Sequence, residues 1–389
     1  MTTPLPSTKQ PPPKIYTPNL KVIGLGGGGC NAIDRMLQLG LRGVHFIAAN
    51  TDKQALEGGL APTKIQLGPR VTRGLGAGGK PQIGQAAAEE SYQELRAALY
   101  NTDMVFLTAG MGGGTGTGAI PVAAQIAREQ GAVTIAIVTT PFAFEMGHRQ
   151  RNAMEGLRKL RPHTDTLITI PNDRLLTEEQ AARLPIETAF HYADDILRQG
   201  VQAVTELITE PGIINVDFAH LRRMMKMGGG ALMAIGMGRG TDKALRAVEQ
   251  ALTHPLLDSI ALEEATGIIA NFSGGPELTL FEIADAIAYL QAQSVPTTDL
   301  VMGLTHDERL EDRVQVILII TGLGAPSLEE TMQGVEKFPN LVPTHNTREN
   351  IPAGPQPALV SSPYDLPAFM RRKARYINNL TFNPHNSNG

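Results

Sequence analysis

A single cysteine in 389 residues, Cys30, excludes an internal disulfide and fits a reducing compartment. No apolar run approaches the ~20 residues that a membrane-crossing helix requires. Neither sign of charge dominates: 34 Lys and Arg stand against 38 Asp and Glu, a net −4 that gives no global attraction for nucleic acid. The opening stretch MTTPLPSTKQPPPKIYTP lacks the apolar core of a secretory signal and the arginine-rich pattern of an organelle transit peptide. What is present is a soluble composition, 42% apolar and 19% charged, long enough for two domains with cores of their own.

From Leu20 onward, short apolar runs alternate with segments of helical spacing. LKVIGLG, VHFIAAN, DMVFLTAG, AVTIAIVTT and DTLITIP read as strands, with helices at 115–130 and 147–161. This alternation predicts a parallel sheet covered on both faces over roughly residues 20–175. A long helix follows from about Pro185 to Thr209, stopped by Pro211 and Gly212. A second α/β unit then reads helix 217–227, strand ALMAIGMG, helix 241–253, strand GIIANFS, helix 279–293, and strands DLVMGLT and RVQVILIITGL. The expected organisation is a disordered N-terminal extension (1–19), an α/β domain (20–184), a central helix (185–210), a smaller α/β domain (211–324), a flexible linker rich in Pro, Asn and Ser (325–362), and a tail (363–389).

Two glycine clusters follow predicted strands and lead into predicted helices. The first, GLGGGGCNA at 24–32, can bring backbone N–H groups onto phosphate oxygens at a helix start, but it also satisfies the dinucleotide pattern G-x-G-x-x-G. The second, GMGGGTGTGA at 110–119, adds the hydroxyls of Thr115 and Thr117. Two such loops at neighbouring strand ends would converge on one crevice, which points to a polyphosphate. Between them GLGAGGKP, 74–81, fits G-x-x-x-x-G-K but ends in Pro81, so it lacks the hydroxyl that a P-loop gives to magnesium.

GGGTGTG resembles the signature loop of the tubulin/FtsZ superfamily, and NTD, GLGAGG, PFAFE, ITIPND and NVDFA occur in the order seen in bacterial-type FtsZ. The resemblance spans roughly residues 20–324, with DLPAFMRR added in the tail. It implies an α/β protein: an N-terminal Rossmann-like GTP-binding domain with a mainly parallel sheet, a long central helix, and a second, smaller α/β domain. It also implies a cytoplasmic GTPase that binds GTP or GDP with Mg2+, K+ being the alternative ion. Its subunits would stack head to tail into the filaments of the septal ring at the division site.

On that resemblance Gly27, Gly28, Gly29, Cys30 and Asn31 would hold the α- and β-phosphates, and Gly113, Gly114, Thr115, Gly116 and Thr117 would continue the cradle. Asn50 and Asp52 would lie near the ribose and phosphates, with the 74–81 loop facing the γ-phosphate. Glu145 and Arg149 match ribose-contacting positions. Asn172 and Asp195 match positions that hydrogen-bond guanine, with Phe190 stacked on its face. A carboxylate accepting from guanine N1 and N2 would reject adenine. Read without the motifs, Phe190 is core, Asp195 a solvated helix face, and Cys30 a small residue wedged among glycines.

In the family, the segment matching NVDFAHL at 215–221 enters the neighbouring subunit's pocket and completes its active site with two acids spaced three apart. Here Asn215 and the first acid, Asp217, are kept, but His220 stands at the second. A neutral imidazole keeps one acceptor nitrogen and loses the charge and the second acceptor. Loss of one positioning or general-base group typically costs about 10²–10⁴-fold. The resulting expectation is GTP-dependent polymerisation with slowed hydrolysis. The competitor is complete loss of turnover, giving a static scaffold or a subunit that co-assembles with an active paralogue. The bland alternative is a helix start that Asp217 caps, with His220 exposed. Lys80 is a second departure, a cation near the γ-phosphate or an exposed loop lysine.

The tail peptide DLPAFMRR is similar to the one by which FtsZ binds membrane-anchoring adaptors, with Asp365, Leu366, Pro367 and Phe369 as its core and Arg371 and Arg372 adding charge. Direct membrane attachment through RRKARY would be weak and salt-sensitive. Two other classes stay open: a dinucleotide-dependent oxidoreductase using the first glycine cluster alone, and a structural protein with an empty pocket.

Overall fold

In a computed structural model, residues 18–145, 147–175, 185–209, 217–227, 230–253, 262 and 265–323 are described. Asn215, the linker, and the tail peptide with Asp365, Leu366, Pro367, Phe369, Arg371 and Arg372 lie outside the described residues.

The first half of the chain supplies β1 (Leu20–Leu25), β2 (His45–Asn50), β3 (Thr63–Gln66), β4 (Met104–Gly110), β5 (Val133–Thr140) and β6 (Thr166–Pro171). The second half supplies β7 (Gly230–Arg239), β8 (Gly267–Gly274), β9 (Asp299–His306) and β10 (Arg313–Leu323). Among the described residues they form one sheet in the order β3-β2-β1-β4-β5-β6-β7-β10-β8-β9. From β3 to β7 every neighbouring pair is parallel, while β10 runs antiparallel to both β7 and β8. The two halves meet at a narrow seam, where among the described residues only Leu167↔Gly230 and Ile168↔Ala231 pair β6 with β7.

Period-2 alternation sends neighbouring strand residues into opposite cores. Val22, Phe106 and Ile135 enter one core, while Ile23, Leu107 and Ala136 enter the other. All eight residues of β5 are buried, as a parallel strand covered on both faces requires. The first face is covered by α1 (Gly26–Gln38) and the central helix. After the short helices α2 (Lys53–Gly58) and α3 (Pro69–Thr72), the opposite face is covered by α4 (Pro81–Glu90), α6 (Thr115–Glu129) and α7 (His148–Leu160), with α5 (Tyr92–Ala98) adding Leu95 to the same core. The central helix, Ile186–Thr209, spans 24 residues as the sequence predicts. It buries Leu197, Val201 and Val204 in the core that also takes Ile269, Val301 and Ile319 from the second half. Another core lies beneath helices Lys243–Leu252 and Leu280–Ala292. No described helix is long and apolar enough to cross a membrane.

Two local departures bear on the site. The first glycine cluster is not a loop: β1 runs to Leu25 and α1 begins at Gly26, so the glycines form the helix's first turn. Between 51 and 103, where the sequence suggests only the 74–81 loop, the chain folds into short elements including β3, α4 and the helix Tyr92–Ala98. Their signals are weak for physical reasons. β3 has four residues with two exposed, and α4 buries only Gly84, Ala87 and Ala88.

Candidate functional site

At the C-terminal ends of β1, β4 and β5 the first turns of α1 and α6 converge on a cavity of about 430 Å3. The approach is close enough that side chains are excluded. A Cβ on Gly26 would lie 2.7 Å from the Gly116 nitrogen, and one on Gly116 would lie 2.9 Å from the Gly110 oxygen. Gly27 and Gly113, by contrast, face open space, with nothing within 4 Å of a Cβ built on them. Both line the cavity, so the space that a side chain would fill is left to a ligand. Two helix N-termini with free N–H groups and aligned dipoles favour an anion there.

The second glycine loop is braced from inside. Thr117 is buried, and its hydroxyl accepts from the Gly112 N–H at 2.8 Å. It therefore supports the loop and does not line the cavity, unlike Thr115. Thr115 in turn shares a 2.5 Å hydroxyl–hydroxyl hydrogen bond with Thr51. The 74–81 loop packs against this structure from the other side, where a Cβ on Gly114 would lie 2.8 Å from the Lys80 nitrogen. Asn152 of α7 ties the two loops together, donating its amide to the carbonyls of Gly79 and Gly112, each at 3.2 Å.

At the other end of the cavity are Glu145, Arg149, Asn172, Phe190 and Asp194. Glu145 pairs with Arg149 and also accepts from the Phe142 N–H at 2.9 Å. Asp173 accepts from the Ala143 N–H at 2.9 Å, so PFAFE is held by two carboxylates. Burial raises the Asp173 carboxyl, with the Ala143 hydrogen bond opposing and the Glu145 charge adding. Phe190 stands edge-on to Phe142 at 5.6 Å, which fixes it as a wall of the cavity. Asn172 is buried, and among the described residues its Oδ1 has no hydrogen-bond partner. A buried acceptor without a partner is costly, and a ligand N–H at this cavity wall would satisfy it.

Of the positions matched by resemblance, Gly27, Gly28, Asn31, Gly113, Gly114, Thr115, Gly116, Glu145, Arg149, Asn172 and Phe190 line one cavity. Besides Thr117, five others do not line it. Gly29 is packed so that a Cβ would lie 2.4 Å from the Thr108 oxygen. Cys30 is buried, its thiol pushed up to about 12 by burial and by the Asp34 charge. Asn50 is buried and accepts from the Asp52 N–H, while Asp52 caps the helix Lys53–Gly58 through the Ala55 N–H.

The fifth is Asp195. Its carboxylate takes hydrogen bonds from Arg198 and Gln199, and Asp194 lines the cavity instead. Burial works to raise the Asp195 carboxyl, but Arg198 and Gln199 outweigh it and hold it below the usual range. Asp194 is pushed up to about 6 by burial, against the opposing charges of His191 and Arg35. The motif FHYADDIL offers two adjacent acids, and only the helix's rotation about its axis separates them. Asn152, Asp173 and Asp194 are thus site residues that the motifs did not single out.

Asp217 and His220 lie away from this cavity, on the helix Phe218–Lys226 and its cap. Asp217 caps that helix by accepting from the Ala219 N–H at 3.1 Å. His220 hydrogen-bonds Asp299 at 2.9 Å.

Comparison with known proteins gives two family matches. Residues 19–179 match the model described as Tubulin/FtsZ family, GTPase domain, and residues 229–324 match FtsZ family, C-terminal domain. Among solved structures, an empty FtsZ dimer from M. jannaschii is 45% identical with a TM-score of 0.76, covering 79% of this chain and 89% of that one. A tryptophan-to-tyrosine mutant of FtsZ from M. jannaschii is 44% identical with a TM-score of 0.75, covering 79% and 92%. A GTPγS-bound protofilament of CetZ2 from Haloferax volcanii shares the fold at 19% identity and a TM-score of 0.67, covering 82% and 97%.

Proposed function

The chain belongs to the tubulin/FtsZ family of GTPases, and on that premise we propose that it binds GTP in this cavity, polymerises head to tail and hydrolyses GTP slowly where subunits meet. The observation that carries the reading is the cavity itself: two glycine-bearing helix starts converge at one end, and the Asn172 Oδ1, unpartnered among the described residues, and the Asp194 carboxylate stand at the other. A triphosphate suits the first end. Guanine suits the second, because its N1 and N2 donors match a carboxylate that adenine could not serve. Glu145 and Arg149 would take the ribose between them, and Phe190 would close on the base.

Magnesium would be held chiefly by phosphate oxygens and would neutralise developing charge on them. Among the described residues no group of three His, Cys, Asp or Glu side chains converges to hold an ion. The subunit carrying Asp217 and His220 would present them to the next subunit's γ-phosphate, which fits their place outside their own chain's cavity. In the cell the filament would act in division at the septum. The DLPAFMRR peptide would serve a membrane-anchoring adaptor, and a second FtsZ could share the polymer.

The test is GTP binding, light scattering and phosphate release on the full chain with GTP, GDP and ATP. Binding and scattering specific to GTP, with slow phosphate release, are expected. Polymer without release would make the chain a scaffold or a co-assembling subunit, and protection by a nicotinamide dinucleotide in place of GTP would overturn the reading.

A further inference from the structure

The imidazole of His220 has a fixed partner. Its Nε2 lies 2.9 Å from Oδ2 of Asp299, the first residue of β9 and 79 positions further along the chain. An ionised carboxylate offers only acceptors, so Nε2 carries the proton in this bond and Nδ1 of the neutral ring is left as its acceptor. We propose that Asp299 is a positioning residue for His220, holding the ring in the tautomer and orientation in which Nδ1 can take a proton from the attacking water. The proposal rests on GTP turnover between subunits as argued above.

The frame around the pair is rigid. Leu221 and Met224, on the same helix as His220, are fully buried. A Cβ on Gly267 would lie 2.8 Å from the Met224 methyl, and Gly267 is the register partner of Asp299. Thr166 donates to the Met225 carbonyl at 2.7 Å, pinning the helix to β6. These contacts set the helix's height over β8 and β9, and with it the distance from ring to carboxylate. Among the described residues, Asp299 of β9 pairs with the imidazole and Arg223, one turn on, reaches the same Oδ2 with its guanidinium at 3.4 Å, while Asp217 caps the start of the helix.

A structural tie explains the pair poorly. The two side chains are 35% and 28% exposed, and ion pairs so open to water add little to stability. Orientation of a ring is what such a contact supplies well, as outer partners do for histidines that bind metals. The pairing also qualifies the simplest repair of the site. His220→Asp would set a second carboxylate against Asp299, and the like charges would oppose each other. The double change His220→Asp with Asp299→Asn should therefore restore faster turnover than His220→Asp alone.

The experiment measures phosphate release per mass of polymer near neutral pH on the full chain. It compares the unaltered protein with Asp299→Ala, Asp299→Asn, His220→Gln, and His220→Gln combined with Asp299→Ala. Thermal melts and GTP binding on each variant report folding. Asp299→Ala is expected to lower turnover about tenfold near neutral pH, with GTP affinity unchanged. Asp299→Asn keeps an acceptor for Nε2–H and recovers part of the rate. In the His220→Gln background Asp299→Ala has no further effect.

An unchanged rate in both Asp299 variants overturns the proposal, and so does an Asp299→Ala effect equally large without His220. GTP binding and polymer with no phosphate release also overturn it, leaving nucleotide binding and assembly standing. A chain that fails to bind GTP at all refutes the functional reading itself.

Discussion

The side-chain amide of Asn152 donates to the backbone carbonyl of Gly112 at 3.2 Å and, through the same nitrogen, to Gly79 at 3.2 Å. One α7 residue thus ties the second glycine loop to the 74–81 loop. Asn152→Ala removes both bonds from a part-exposed position, where a net of ~0.5–1.5 kcal/mol per bond is typical. A lower Tm and a several-fold weaker GTP affinity are expected, by differential scanning calorimetry and calorimetric titration. An unchanged affinity would mean that the two loops hold their places independently.

Asp194 and Asp195 are adjacent, and only one lines the cavity. Asp194→Ala should weaken GTP about 10- to 100-fold, the loss of a hydrogen bond to a charged group, and narrow the preference for GTP over ATP. Asp195→Ala should leave that preference intact, since its carboxylate is engaged with Arg198 and Gln199. Competition between GTP and ATP for each variant separates the two assignments.

Burial raises Asp194 from the ordinary 3.8 to about 6. The sign follows: the empty protein's stabilisation from this group is fully present below about 3.8 and lost as pH rises through about 6. Guanine requires the ionised carboxylate, so GTP affinity should fall as pH drops through about 6. Binding at pH 5.5 should release a proton that binding at pH 7.5 does not. Titration calorimetry in buffers of different ionisation enthalpy reads this directly, and the difference should vanish in Asp194→Ala.

Gly27 and Gly29 are two residues apart in the first turn of α1, with opposite surroundings. Gly27→Ala meets no protein atom within 4 Å, so the fold should gain up to ~0.5–1 kcal/mol from replacing a helical glycine while GTP binding falls. Gly29→Ala would bring a methyl to 2.4 Å from the Thr108 oxygen, so the fold itself should suffer. Thermal melts with and without GTP distinguish the two outcomes.

Much of this architecture was legible because the strands are buried runs and the helices between them are periodic. β5 is buried on every residue and the central helix is long and amphipathic, so both stand out without context. What escaped was whatever depends on rotation or on distant partners. Asp194 and Asp195 differ by one step about a helix axis, a choice that packing makes and the motif does not. Asp299 meets His220 across 79 positions, and nothing local to either announces the other. Thr117 belongs to the signature motif, yet its hydroxyl is spent on the Gly112 N–H.

The single thiol has a practical consequence. Cys30 lies under the first glycine turn, 7% exposed and with its thiol pushed up to about 12, so a modifying reagent cannot meet its thiolate while the native packing holds. Labelling must wait for that region to open, and with no other cysteine in the chain there is no background signal. The protein therefore carries its own clock for the breathing of the phosphate cradle. A ligand seated above Cys30 should slow that clock without any probe having been engineered in.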